Sequence, residues 1–141
     1  MLKILLAMDG SENAQRAVSY LIKRAAGAKD QYQVSLVNVQ YALHGTVASF
    51  INAAQVKQYH HDEGAKALAP AKTLLDGAGI AYSEHVFVGE PAEVISRFAR
   101  ENGCDEIVIG NRGLGNIGSL LMGSVASKII HLSEVPVVLV K

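Results

Sequence analysis

A run of glycines with one hydroxyl and one cation carries the clearest chemistry in this chain: Gly110-Asn111-Arg112-Gly113, then Gly123-Ser124 after a nine-residue gap. The run leaves an apolar strand, Ile107-Val108-Ile109, and enters a helical pattern that starts at Val125 and Ala126. Glycine lets a ligand come close to the backbone, and the free N–H groups at a helix start favour an anion. Strand, glycine loop and helix N-terminus together make a phosphate cradle. The other chemically useful residue is Asp9, which closes the opening apolar run Leu2 to Met8. Its carboxylate can accept from the donors of an adenine or ribose.

Neither familiar glycine fingerprint is present. Asp9-Gly10-Ser11-Glu12-Asn13-Ala14 has no G-x-G-x-x-G, so the chain lacks a dinucleotide signature after its first strand. Gly118 to Ser124 has P-loop glycine spacing but no lysine before the serine. Arg112 and Lys128 are the nearest cations, and Arg112 can be read as a solvated loop residue or as a phosphate ligand. Blander roles exist for the others: turn-forming glycines, Ser124 as a helix cap, and Asp9 as a loop acid or a cap for the first helix. His44, His60, His61 and Asp62 do not suggest a metal, because adjacent histidines on a helix diverge and provide no i, i+4 pair. Glu12 and Glu63 have no partner base or nucleophile, and Glu90 before Pro91 reads as a helix cap. No acid–base pair emerges, which leaves catalysis unassigned.

These residues need elements to position them. Five strands are expected, at Lys3–Met8, Val34–Val39, Ile80–Val88, Glu106–Ile109 and Val135–Val140. Between them fall helices. The first carries Ala14, Ala17, Val18, Leu21, Ile22 and Ala25 on one face, capped by Ser11 and ended by Gly27. The second spans Ala54 to Gly77, the third runs from Pro91 to Gly103, and the fourth follows Ser124. Strict alternation implies an α/β fold, a parallel sheet covered on both faces with right-handed crossovers. The third strand mixes polar residues in and reads as an edge, which permits the order 3-2-1-4-5. Ligands in such sheets sit at the carboxyl ends of the strands where the order reverses, and there Asp9 and Gly110 meet. The segment from Gln40 to about Ala53 is either a lid or a variable loop.

Composition narrows the functions further. The 141 residues, half of them hydrophobic, suit one Rossmann-like domain spanning 1–141. Lys plus Arg and Asp plus Glu balance at 13 each, so no field exists to hold nucleic acid or an anionic membrane. No stretch approaches the roughly 20 apolar residues of a membrane span, and the expected location is the cytoplasm. Cys104 is the single cysteine and reads as a small buried hydrophobe.

At these positions the sequence resembles the universal stress protein family, and within it the nucleotide-binding branch with the pattern G-x2-G-x9-G-[S/T]. Gly110, Gly113, Gly123 and Ser124 meet that pattern, and the resemblance extends over Leu6 to Ser11, Val88 to Pro91, Asp105 to Gly113 and Val135 to Val140. It implies ATP, ADP or AMP as ligand, with Mg2+, where present, held mainly by the phosphates. Ala7, Met8 and Asp9 would stand on the adenosine side and Val39 would offer backbone to adenine. Ile109 and Gly110 would line the ribose, while Gly113, Gly123, Ser124, Val125 and Ala126 would enclose the phosphates, with Arg112 in the same loop. Ala7 departs from the proline, and Ala126 from the threonine, that relatives often carry. The resemblance implies a stress-response regulator that acts through an unidentified protein partner. It also implies a homodimer built on Val137, Val138, Leu139 and Val140, whose edge position would otherwise leave backbone groups open. Two other readings stay open: a dimeric interaction protein of the same family that binds no nucleotide, and a slow ATP hydrolase or phosphoryl-transfer enzyme.

Overall fold

Hydrophobic periodicity decides the layers of this molecule, seen in a computed structural model that describes residues 1–45, 49–111 and 122–141. β1 (Leu2–Ala7), β2 (Tyr32–Gln40), β3 (Tyr82–Val88), β4 (Glu106–Gly110) and β5 (Val137–Val140) form one parallel sheet in the order β3-β2-β1-β4-β5. The helices are α1 (Glu12–Arg24), α2 (Ala53–Ala78), α3 (Pro91–Glu101) and α4 (Ser124–Leu132), with a 3-10 turn at Lys29–Gln31.

Because strand side chains alternate between faces, β1 feeds two cores at once. Ile4 and Leu6 pack with Ala17, Val18, Leu21, Leu68 and Leu75 from α1 and α2. Leu5 and Ala7 pack with Ala92, Ile95, Ala99 and Ile129 from α3 and α4. Cys104 belongs to this second core, and burial pushes its thiol above the usual range, so it is the structural residue its surroundings suggested.

Helix ends follow local chemistry. Ser11 caps α1 by accepting from the Ala14 amide at 3.1 Å, and Glu90 caps α3 by accepting from the Glu93 amide at 2.8 Å. Asn52 and Gln55 form a reciprocal capping box at the start of α2. That helix runs through Pro70 and ends at Ala78, one residue beyond the expected Gly77, with Gly79 in the left-handed cap conformation. Likewise α1 stops at Arg24, with Ala25 and not Gly27 closing it. Two strands start later than their apolar runs. The Ile80 amide is taken by the Leu75 carbonyl at the end of α2, and the Val135 amide by the Ser133 hydroxyl.

One glycine is required by close approach. A Cβ on Gly110 would lie 2.7 Å from the Asn13 carbonyl carbon and 2.8 Å from its oxygen, in the first turn of α1. That contact seats the start of α1 against the end of β4, beside the place where β1 ends. Gly110→Ala is therefore expected to lower stability by about 1–3 kcal/mol, the usual cost of overpacking. Urea unfolding followed by circular dichroism measures it, and an unchanged midpoint would show that α1 can move aside.

Candidate functional site

The strand ends make the site because their hydrogen-bond ladders stop at different places. β1 pairs with β2 from Leu2 to Ala7, but with β4 only from Ile4 to Leu6. Beyond Leu6 the backbones separate, and a cleft of about 370 Å³ opens at the carboxyl end of the sheet. This is the switch point at which an open α/β sheet receives ligands.

Ala7, Met8, Asp9, Val39, Ile109 and Gly110 line the cleft on the strand side. Gly123, Ser124, Val125 and Ala126 line it from α4. The structure thus brings together every candidate residue it describes, while Arg112 and Gly113 lie outside the described residues. The Asp9 carboxylate accepts from the Ser11 amide at 2.9 Å, so it braces the turn into α1 as well as facing the cleft. Ser124 is not the cap that its position suggested. Gly123 holds the N-cap position with extended backbone, and Ser124 is the first helical residue. With no side chain at the cap, α4 directs its first amides toward the cleft without a built-in acceptor from Gly123. The loop carbonyl of Asn111 accepts from the Gly123 amide at 2.6 Å, which ties the end of β4 to the start of α4.

Sequence reasoning passed over a second set of wall residues. Asn38 is 3 % exposed and donates its amide to the Met8 carbonyl at 2.8 Å, while Gln40 donates to the Asn38 side-chain oxygen at 2.7 Å. The Met8 amide in turn donates to the Val37 carbonyl at 2.8 Å. Together these bonds satisfy the backbone of β1 where its ladder runs out. The available signal was a lone amide, Asn38, inside the apolar run Val34 to Val39. Tyr41, Pro91, Ile95 and Asn111 complete the wall. Lys128 of α4 pairs with the Glu90 carboxylate at 3.6 Å, so this cation is engaged by the α3 cap.

His60 is buried and meets the Tyr59 ring edge-on at a 5.4 Å centroid distance, while His61 is exposed. Among the described residues no three His, Cys, Asp or Glu side chains gather as metal ligands, and no helix is long and apolar enough to cross a membrane.

A doubly wound five-stranded parallel sheet with an open cleft at its switch point places the chain in the Rossmann-like α/β class. Within that class, the model of the universal stress protein family matches residues 1–141, and the chain belongs to this family. It is 30% identical to the universal stress protein YxiE of Bacillus subtilis, with 99% of this chain and 98% of the relative covered. Its fold is similar to that of the protein MJ0577 of Methanocaldococcus jannaschii, with a TM-score of 0.84, 29% identity, and coverage of 99% and 94% of the two chains. It is also similar to a universal stress protein from Archaeoglobus fulgidus solved in complex with dAMP, with a TM-score of 0.71, 25% identity, and coverage of 100% and 98%.

Asn38→Ala is expected to destabilise the protein by about 1–3 kcal/mol, because it leaves the buried Met8 carbonyl and the Gln40 amide without their partner. Thermal unfolding tests this. A melting temperature equal to the wild type would mean that the strand ends hold without the network.

Proposed function

We propose that this chain is a cytoplasmic nucleotide-binding regulator that takes ATP, ADP or AMP in the cleft between β1, β2, β4 and α4. The observation that carries the reading is the pairing of opposite chemistries across one cleft. The α4 N-terminus, capped by Gly123, faces the carboxylate of Asp9 and the polar wall of Asn38 and Gln40. Amides at a helix start suit phosphate, and acceptors on strand ends suit the nucleoside. The likeness to a relative solved with dAMP supports the same assignment.

In this reading the Tyr41 ring and Val39 flank the base, Ile109 and Gly110 lie under the ribose, and Ser124 to Ala126 meet the phosphates together with Arg112 and Gly113. Asp9 is the one carboxylate among the described residues lining the cleft, and Ser11 already engages it. A divalent ion would thus travel on the nucleotide's own phosphates and not on a protein cage. The pattern offers ground-state phosphate binding with little that grows stronger in a transition state.

Two outcomes follow. Gly123→Val puts a branched side chain at the mouth of the α4 N-terminus and is expected to weaken ATP and ADP binding by roughly a hundredfold, about 2.7 kcal/mol. Calorimetry on a variant with wild-type circular dichroism reads the loss, and equal affinities would remove the site. In the same samples phosphate release should stay far below the typical enzymatic value of about 10 s⁻¹. A turnover of that order would make the chain an enzyme.

The second outcome concerns assembly. Among the described residues β5 pairs with β4 alone and ends the sheet, and Val137, Val138, Leu139 and Val140 all stay half-buried. A two-fold copy set against this edge would satisfy its open backbone groups and cover those side chains. The chain is therefore expected to sediment as a dimer at micromolar concentration, and Val138→Lys to shift it toward monomer. A monomeric wild type would refute the arrangement.

A further inference from the structure

The cleft at the switch point leaves a second cavity unexplained. It lies on the other side of β2's outgoing chain, where the first half of α2 packs beside the end of β3, and it measures about 660 Å³. Ala53, Val56, Lys57, His60 and His61 line it from α2, at the spacing of a single helix face. Val86 and Val88 line it from β3, Ala42 and Leu43 from the segment after β2. Its floor is set one turn further on, at Gly64. There a Cβ would come within 2.5 Å of Val86, so helix and strand are in direct contact, and the groove opens where they diverge.

Two features distinguish this groove from ordinary surface. His60 is 6 % exposed, yet both of its ring nitrogens lack a hydrogen-bond partner. A buried polar group without a partner costs free energy, and such groups in folded proteins call for an explanation. Among the described residues the lining around it is apolar except for Lys57 and His61 and includes no carboxylate. On β3, Val86 and Val88 remain 37 % and 49 % exposed. The groove therefore combines an apolar wall, a buried donor waiting for an acceptor, and a cation on the rim, within the roughly 300–1,000 Å³ of small-molecule pockets.

We propose that this groove binds a carboxylate-headed apolar molecule, of the acyl or aromatic carboxylate class. The carboxylate accepts from the Lys57 ammonium and, with the ring turned toward the groove, from a His60 N–H, and the apolar body lies over Val56, Val86 and Val88. A cationic head would meet Lys57, and a purely apolar ligand would leave His60 unpaired. An anionic acceptor answers both. The site stands apart from the nucleotide cleft but shares a wall with it: Tyr41 lines the cleft, and the next two residues, Ala42 and Leu43, line the groove.

The full chain, free of nucleotide, is titrated with decanoate by calorimetry, with decanol as the neutral control. This keeps the outcome independent of the reading of the cleft. Saturable binding of decanoate to one site per chain is expected, with decanol weaker by roughly tenfold or more, the worth of a charge-assisted hydrogen bond. Lys57→Glu, at an exposed helix position, should weaken decanoate by a similar factor. His60→Leu removes the orphaned ring while keeping the position apolar, and should retain or raise the melting temperature while abolishing the preference for decanoate over decanol. The proposal is overturned if the wild type shows no saturable binding, if decanoate and decanol bind alike, or if both variants bind as the wild type does. A concentration-dependent self-association that Val88→Lys abolishes would also overturn it, since a second copy of the chain would then be the occupant.

Discussion

Backbone N–H and C=O groups at the carboxyl end of a central strand must find partners at the point where its neighbours leave, and the functional end of this protein is arranged around that requirement. β1 has β2 on one side and β4 on the other, and its ladder with β4 stops after Leu6. On the β2 side the pairing goes one residue further: the Met8 amide reaches the Val37 carbonyl, and the Asn38 side chain bonds the Met8 carbonyl from inside the core. The buried amide thus holds the end of β1 to β2 at the lip of a cleft that opens toward β4.

The opposite end of the sheet is held quite differently. The Arg24 guanidinium donates to the Glu106 carboxylate at 2.5 Å and to the Tyr32 and Tyr20 hydroxyls at 3.2 and 3.3 Å. Its cation also lies over both tyrosine rings. These partners, the bond to Glu106 foremost, hold Arg24 even more firmly protonated than usual. Glu106 opens β4 and Tyr32 opens β2, so one side chain from the end of α1 joins two strand beginnings. Lys3 adds a backbone bond to the Asp105 carboxylate at 2.8 Å.

Much of the architecture was legible in the sequence because burial on both faces leaves a plain signal. Runs such as Ile4 to Ala7 and Ile107 to Ile109 have few alternatives to a covered parallel strand. The polar interruptions Ser83, Glu84 and His85 marked β3 as an edge for the same reason. Strand and helix limits were less legible, since they turn on single local bonds such as Ser133 to Val135 and Leu75 to Ile80. The candidate cleft residues were reachable from glycine spacing and strand ends. Asn38 and Gln40 were not, because their role depends on which strand lies beside which. His60 was weighed only as a metal ligand; that its ring would be buried without a partner depends on how α2 leans on β3, a tertiary fact.

The knot around Arg24 has a mechanical consequence. It clamps the amino ends of β2 and β4 to α1, while the carboxyl ends flank a cleft and are linked by a few side-chain bonds. Tied at the base by Arg24 and braced near the tip where Gly110 meets Asn13, β4 holds the gap of the cleft at a set width, as the prongs of a fork hold theirs. Adjustment to anything held in the cleft then falls on α4, and the packing between α1 and the sheet is left undisturbed.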